Sequence, residues 1–443
     1  MKRRHPLSRV IFAACVALSL ALVPTSLPGA EDELPPALRA VHTDIWKRFV
    51  LPAQGLVLDY SLEGDPSLIP DAVEATEGKP NALSWWTPVE NGAFFSGLYL
   101  DTMVRRFQRT RLPEDREKAA KLAKGLLLCA SVGSTPGFVA RGVMADGKSH
   151  YSIGSDDQTA PWFYGLWRFV SSGTANDDER RQVVSKMQEV AAALRANRWE
   201  MPCEPIGGLA PGQSRGGWNG SDYRSVSRLL FAMRVMAELT GEKAWRQDYE
   251  RALYEDLGGG TTRLDVLAEG IAGEWRQHPA LAQDHIYIYV VSQAMVAELL
   301  ALEPRAEIKK RYAESLRSSA GTCAGQTSAD VARIGSQPFR RDWRMMNSMW
   351  RPQKTPPEAA ELALEQLQAW ANRGRGIEAQ VIREPFCAAW ITALGGEAPD
   401  THLAEALEGR MESIPWDKVV SSAGFFGEAA WYVATTPAMS RNP

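Results

Sequence analysis

One pattern limits this chain more than any other. Apolar helical stretches, each headed by an acidic residue at the end of a polar, aromatic-rich loop, alternate with more charged, amphipathic ones. The heading acids are Glu90, Asp156 (with Asp157), Asp222, Asp284, Asp342, Glu384 and Glu428, 42 to 66 residues apart. A helix that is apolar on several sides is buried from several directions, and a one-sided stripe can cover it from outside. The stretch after Asp222 is of the first kind, with Val226, Leu229, Leu230, Phe231, Met233, Val235 and Met236. Residues 177–197 are of the second, with Val183, Met187, Val190, Ala191 and Leu194 at helical spacing. The alternation predicts a ring of helical hairpins. The acid-headed helices form its inner wall, with their N-termini at one end. Hairpins this uneven in length favour a closed ring over a stacked solenoid.

Two stretches test this reading. Ile286 to Val291 reads locally as a strand, but apolar character continues to Leu300, longer than an ordinary strand, so a helix is expected. Asp342 to Trp350 makes only a brief helix before Pro352. The last helix, from about Phe425 to Val433, has no successor, and the helix at 36–49 is placed beside it. No strand-like alternation is sustained, and no linker or low-complexity segment divides the chain. A single domain over 31–443 is therefore expected, and 443 residues are enough for a large core.

Residues 1–30 read as a secretory signal. Lys2, Arg3 and Arg4 precede an apolar run from Val10 to Val23, and Pro24 to Ala30 supplies the cleavage region. The run is short for a membrane span, so no stable membrane insertion is expected after cleavage, and the destination is secreted or periplasmic. Removal takes away Lys2, Arg3, Arg4 and Arg9 and no acid, which moves the formal charge from −3 to −7. An acidic chain argues against nucleic acid as a partner. Cys129, Cys203, Cys323 and Cys387 match no metal-site spacing. They are either buried thiols or one or two disulfides. No His-Glu-x-x-His, P-loop or Gly-x-Ser-x-Gly is present, and no metal or cofactor is implied.

Three loop-to-helix entries carry a family likeness: Trp86-Thr87-Pro88-Val89-Glu90-Asn91-Gly92-Ala93-Phe94-Phe95-Ser96-Gly97-Leu98-Tyr99, then Gly154-Ser155-Asp156-Asp157-Gln158-Thr159, then Gly217-Trp218-Asn219-Gly220-Ser221-Asp222-Tyr223. Through them the chain resembles the six-hairpin glycosidase-like proteins over roughly residues 36–436. That superfamily includes unsaturated glucuronyl hydrolases, other glycosidases and toroidal polysaccharide lyases. The resemblance implies an all-α (α/α)6 toroid acting on an oligosaccharide or polysaccharide. The acidic beat gives up to seven inner helices where the family has six, so either the short Asp342 helix is an insertion, an extra seventh hairpin, or the beat counts one helix too many.

Glycoside hydrolysis commonly takes two carboxylates, one to protonate the leaving oxygen and one to activate water or attack carbon. Asp156 and Asp157 are the first candidates, because adjacent acids repel and one of them can keep its proton near neutral pH. Asp222 and Glu90 are candidates for the partner carboxylate. The alternative for each is a helix cap, since acids favour helix N-termini. His150 and Tyr151 matter to a second reading, a lyase that removes a proton beside a carboxylate, as the toroidal lyases do with His and Tyr. Trp86, Trp162, Trp218 and Tyr223 are candidates for sugar stacking, with core anchoring as the alternative. Asp284 and His285 are candidate substrate contacts. Arg141, Arg224, Arg340 and Arg341 are candidates for a uronic carboxylate, against ordinary surface solvation. A third reading is a toroid that binds glycan without cleaving it, which acids serving only as caps would favour.

Overall fold

The computed structural model describes residue 31 and residues 33–61, 68–279, 281, 285–326, 329–396 and 398–436. The expected secretory segment and Asp284 lie outside these residues. The fold is all-α, with one small strand pair. Along the chain run α1 (Pro36–Arg48), α2 (Ala72–Glu77), α3 (Gly92–Thr110), α4 (Pro113–Cys129), α5 (Asp156–Ser171) and α6 (Asp177–Ala196). Strands β1 (Glu200–Pro202) and β2 (Ser214–Gly217) follow, then α7 (Tyr223–Thr240), α8 (Lys243–Leu253), α9 (Arg263–Glu269), α10 (Ile271–Gln277), α11 (Tyr287–Leu302) and α12 (Ala306–Cys323). The last elements are α13 (Pro356–Trp370), α14 (Arg373–Glu378), α15 (Glu384–Leu394), α16 (Thr401–Ser413) and α17 (Gly424–Thr435). No described helix is long and apolar enough to cross a membrane.

Six helices are buried along most of their length: α3, α5, α7, α11, α15 and α17. Helix α3 packs on α5, α5 and α11 on α7, α11 on α15, α15 on α17, and α17 on α3. The amphipathic helices lie outside them. Helix α4 covers α3 and α5, α6 covers α5 and α7, and α12 covers α11 and α15. Helices α1 and α16 cover α17. Polar residues start these outer helices. Asn176 and Glu179 form a reciprocal capping box at α6, and Pro113 with Glu114 and Asp115 opens α4.

The tightest contact joins α3 and α5. A Cβ on Gly97 would lie 2.2 Å from the Pro161 carbonyl oxygen, and one on Gly165 would lie 2.4 Å from the Gly97 carbonyl oxygen. The two backbones touch there, and only glycine allows it. Farther along, Asp101 takes bonds from Tyr164 Oη (2.8 Å) and Arg168 Nε (2.6 Å) on α5 and from Arg105 Nε (2.9 Å) on its own helix. Arg168 continues to Glu298 on α11 at 2.9 Å.

Two heading acids are placed differently from expectation. Asp342 precedes a 3₁₀ stretch, Trp343–Met349, and not an α-helix. That stretch buries Trp343 and Met346 with Trp370 against Trp86, outside the main core. Glu428 lies four residues inside α17, fully buried, bonded to His42 Nδ1 and Tyr99 Oη at 3.0 Å each. It is a core anchor between α17, α1 and α3. The four cysteines are buried free thiols. Burial raises the Cys129 thiol pKa to about 12. Short helices α9 and α10 fill residues 263–277, where the alternation gave no signal.

Candidate functional site

The N-terminal ends of the buried helices meet. Phe94 N, in the first turn of α3, donates to Gln158 Oε1 in the first turn of α5 (3.0 Å). Tyr287 N at the start of α11 donates to Glu384 Oε2 at the start of α15 (3.1 Å). The rings of Phe94 and Tyr287 lie 5.8 Å apart, and those of Phe95 and Phe425 5.2 Å apart. Carboxylates and guanidiniums gather at this end in two connected groups.

The first group surrounds Glu90, just before α3. Ser84 and Trp86 hold left-handed backbone conformations (φ +56° and +77°), which is costly for a residue as bulky as Trp86. Its amide donates to Glu90 Oε2 (2.8 Å) and its indole to the Ala363 carbonyl (2.8 Å), so both ends of the strained residue are held. Arg375 Nη2, on α14, donates to Glu90 Oε2 at 2.9 Å and to Asp59 Oδ1 at 3.4 Å. Asp59 also accepts from Asn91 N (2.7 Å) and Nδ2 (2.6 Å). Burial, and then the charge of Glu90, raise the Asp59 carboxyl pKa to about 7 against the pull of Arg375 and Asn91. Asp59 is one of the residues that sequence reading missed, because it sits in an irregular loop with no helix to announce it. A cavity of about 30 Å³ bounded by Asp59, Phe95, Arg375, Arg383 and Phe426 has room for one water.

The second group is the Asp156–Asp157 pair. No backbone amide among the described residues donates to either carboxylate, so neither is a cap. Asp156 pairs with Arg228 on α7, and Asp157 accepts from Ser155 Oγ with Arg141 Nη2 at 3.8 Å. Their side chains keep 25% and 30% exposure, which leaves both open to a ligand. Burial raises the Asp156 pKa against the charge of Arg228, with Asp157 adding to the rise. Burial would also raise Asp157, but Arg141, Arg215 and the Ser155 hydroxyl hold it below the ordinary value. The two carboxyls are thus pushed in opposite directions, Asp156 upward and Asp157 downward. Arg141 joins the two groups, with Nη1 on the Glu90 carbonyl and Nη2 on Ser155 Oγ, each at 2.9 Å.

Pairing of β2 with β1 lays Gly216 against Asp156. A Cβ there would come within 2.1 Å of Asp156 Oδ1, and φ is +71°. The strand carries Arg215 over the Trp85 ring at 5.3 Å. Tyr287 is a further half-buried aromatic. Arg383 sits 3.8 Å over its ring, and its hydroxyl has no hydrogen-bond partner among the described residues. Burial raises its pKa, Arg383 opposes, and the charges of Glu90 and Asp157 add to the rise, so the phenol faces both groups. A five-residue π-helical turn, Ala379–Arg383, leads into α15 and carries Arg383.

The remaining candidates divide. Asp222 is a cap, with Oδ1 on Ser225 N (3.0 Å) and Oδ2 on Ser225 Oγ (2.6 Å). Trp162 and Trp218 are fully buried, with indoles on the Leu126 carbonyl (2.7 Å) and the Asp156 carbonyl (3.4 Å). Tyr223 is buried on Gln293 Oε1 at 3.0 Å. These three aromatics are core anchors. His150 is buried, with Nδ1 2.8 Å from the Lys148 carbonyl and its ring 5.5 Å from that of Phe138. Tyr151 is buried and donates to the Lys79 carbonyl. His285 is exposed beside Tyr287, ring centroids 6.5 Å apart. Arg224 pairs with Glu274 at 2.8 Å, and Arg340 reaches the Trp370 carbonyl at 3.3 Å. No group of three or more potential metal-ligating residues occurs among the described residues.

A larger cavity, about 360 Å³, lies at the other end of the buried helices, lined by Arg105, Arg168, Arg317, Glu298, Thr436 and mostly apolar residues. Arg105 and Arg168 are engaged there with Asp101 and Glu298. No protein-family model, curated protein or solved structure matches the chain.

Proposed function

We propose that the six buried helices close into an (α/α)6 toroid, and that the protein is an exported glycoside hydrolase working at their N-terminal rim. The cyclic packing from α3 through α5, α7, α11, α15 and α17 back to α3 supports the toroid. The Asp342 unit then lies outside the ring, in keeping with its 3₁₀ turn and separate hydrophobic cluster. Export rests on the character of residues 1–30.

One arrangement carries the hydrolase reading: the Asp157 carboxyl and the Asp59–Glu90 group, linked by Arg141 through the Glu90 backbone carbonyl and the Ser155 hydroxyl, beside partly exposed aromatic rings. Asp157 is the ionised carboxylate that activates water or attacks the anomeric carbon. Asp59, joined to Glu90 through Arg375, holds the proton for the leaving oxygen. Glu90 is the more open of the two, and Asp59 keeps the proton in place up to about pH 7. Trp85, Trp86 and Tyr287 offer ring faces to a sugar. Against the lyase reading, His150 and Tyr151 are buried on backbone carbonyls.

The test is a panel of plant, algal and animal glycans, intact and pre-cut to unsaturated ends. Reducing ends and the ultraviolet absorbance of the conjugated double bond are followed together. New reducing ends without rising absorbance, lost in Asp157→Asn, support hydrolysis. Rising absorbance would move the assignment to a lyase, and binding without turnover would leave a glycan-binding toroid.

A further inference from the structure

We propose that the rim takes a negatively charged sugar, and that Arg215 is the residue that selects it. The inference rests on the carbohydrate reading above and concerns the same site. Three guanidiniums, Arg141, Arg215 and Arg228, surround two carboxylates, Asp156 and Asp157. Arg228 is committed to Asp156 and Arg141 stands at 3.8 Å from Asp157. Arg215 has no carboxylate within ion-pair distance among the described residues. Its single described contact is the Trp85 ring. The group therefore holds one more positive charge than negative, in a place where charge is poorly solvated.

Its donors are unfilled as well. Arg228 and Arg141 are each 1% exposed. Among the described residues, Arg228 Nε and Nη2 and Arg141 Nε have no hydrogen-bond partner. Buried guanidinium donors are rarely left unsatisfied, and a planar anionic oxygen pair is the group that fills such a fork. The Arg215 guanidinium lies over the Trp85 ring and its N–H donors meet no acceptor among the described residues, so they stay available beside an aromatic side chain. A sugar lying on Trp85 with a carboxylate or sulfate ester toward Arg215 satisfies both features. At the other half of the rim Arg375 is already paired with Glu90 at 2.9 Å and reaches Asp59 at 3.4 Å. The charged ring is therefore directed to the Arg215 side and the scissile bond toward Glu90.

The experiment is equilibrium binding of the purified protein, at low and high salt, to three ligands. These are a hexuronate oligosaccharide, the same oligosaccharide with its carboxyls reduced, and a sulfated neutral one. The wild type is expected to bind one anionic ligand at least about tenfold more tightly than the reduced one, the preference shrinking with salt. Arg215→Met is expected to erase the preference while keeping the neutral affinity and the unfolding midpoint. Arg215→Lys is expected to keep only part of it, because an ammonium lacks the fork. A stronger response to the uronate or to the sulfate identifies the anion. Equal binding of charged and neutral ligands, or a preference that survives Arg215→Met, overturns the assignment of Arg215 and leaves the carbohydrate reading intact. No binding to any of the three overturns both.

Discussion

The two ends of the buried helices hold the same chemical groups in opposite states. At one end Asp101, Arg105, Arg168, Tyr164 and Glu298 form a network in which Asp101 accepts three bonds at 2.6–2.9 Å. Burial alone would raise the Asp101 pKa, but Arg105 and Arg168 hold it well below the ordinary carboxylate range. At the other end Asp59 is just as buried, yet it faces another acid and the distal edge of a single arginine, and it stays protonated to about pH 7. Burial is common to both ends. What differs is whether the charges are matched. A matched cluster ties helices together, and an unmatched one retains protons and donors that a substrate can use.

The largest expected effect is at the unmatched end. Asp157→Asn and Glu90→Gln should each lower kcat by about 10²–10⁴-fold, with unfolding midpoints close to wild type. A stability loss that accounts for the lost turnover would erase the distinction between the ends. Next, Asp101→Ala should cost about 3–5 kcal/mol of stability, because it removes the carboxylate shared by Arg105 and Arg168 and leaves only Glu298 facing Arg168. Denaturant unfolding checks this, and a change below about 1 kcal/mol would make the network ornamental.

The pH dependence sharpens the comparison, because the two aspartates act with opposite sign. The native pKa of Asp59 is raised, so its stabilising contribution is complete below the unfolded value of 3.8 and is lost as pH rises through about 7. The native pKa of Asp101 is lowered, so its contribution is present above 3.8 and is lost as pH falls. The corresponding kinetic expectation is that kcat/KM declines as pH rises through about 7, and that this limb disappears in Asp59→Asn. Trp85→Ala should weaken substrate binding about tenfold with kcat nearly held, if the ring is a subsite. The smallest effect is expected of Tyr151→Phe, which removes one bond to a backbone carbonyl. It should lower stability by about 1 kcal/mol and leave turnover unchanged.

Periodicity made the helices legible. The all-sided apolar pattern after Asp222 and the one-sided stripe at 177–197 correspond to α7 and α6. The long apolar run from Ile286 belongs to α11. The acidic beat was less reliable, because an acid before an apolar run has several meanings. Asp222 caps, Asp342 precedes a 3₁₀ turn, Glu428 anchors the core, and Asp156 and Asp157 face arginines. Sequence spacing does not separate these, since the partners that decide between them are distant in the chain. Asp59 and Arg375 illustrate the limit. They are 316 residues apart, each in a segment of weak pattern, and only packing brings them to Glu90. Arg215 was hidden for a related reason, because a four-residue strand is too short to show alternation.

The most direct test of the account measures turnover and thermal unfolding together for Asp157→Asn and Asp101→Asn, on the glycan that the wild type cleaves. The account predicts a crossed result. Asp157→Asn keeps its unfolding midpoint and loses reducing-end release, whereas Asp101→Asn unfolds earlier and, below its transition, still releases reducing ends. Reducing-end release by Asp157→Asn at the wild-type rate would contradict the assignment of the rim as the hydrolytic site.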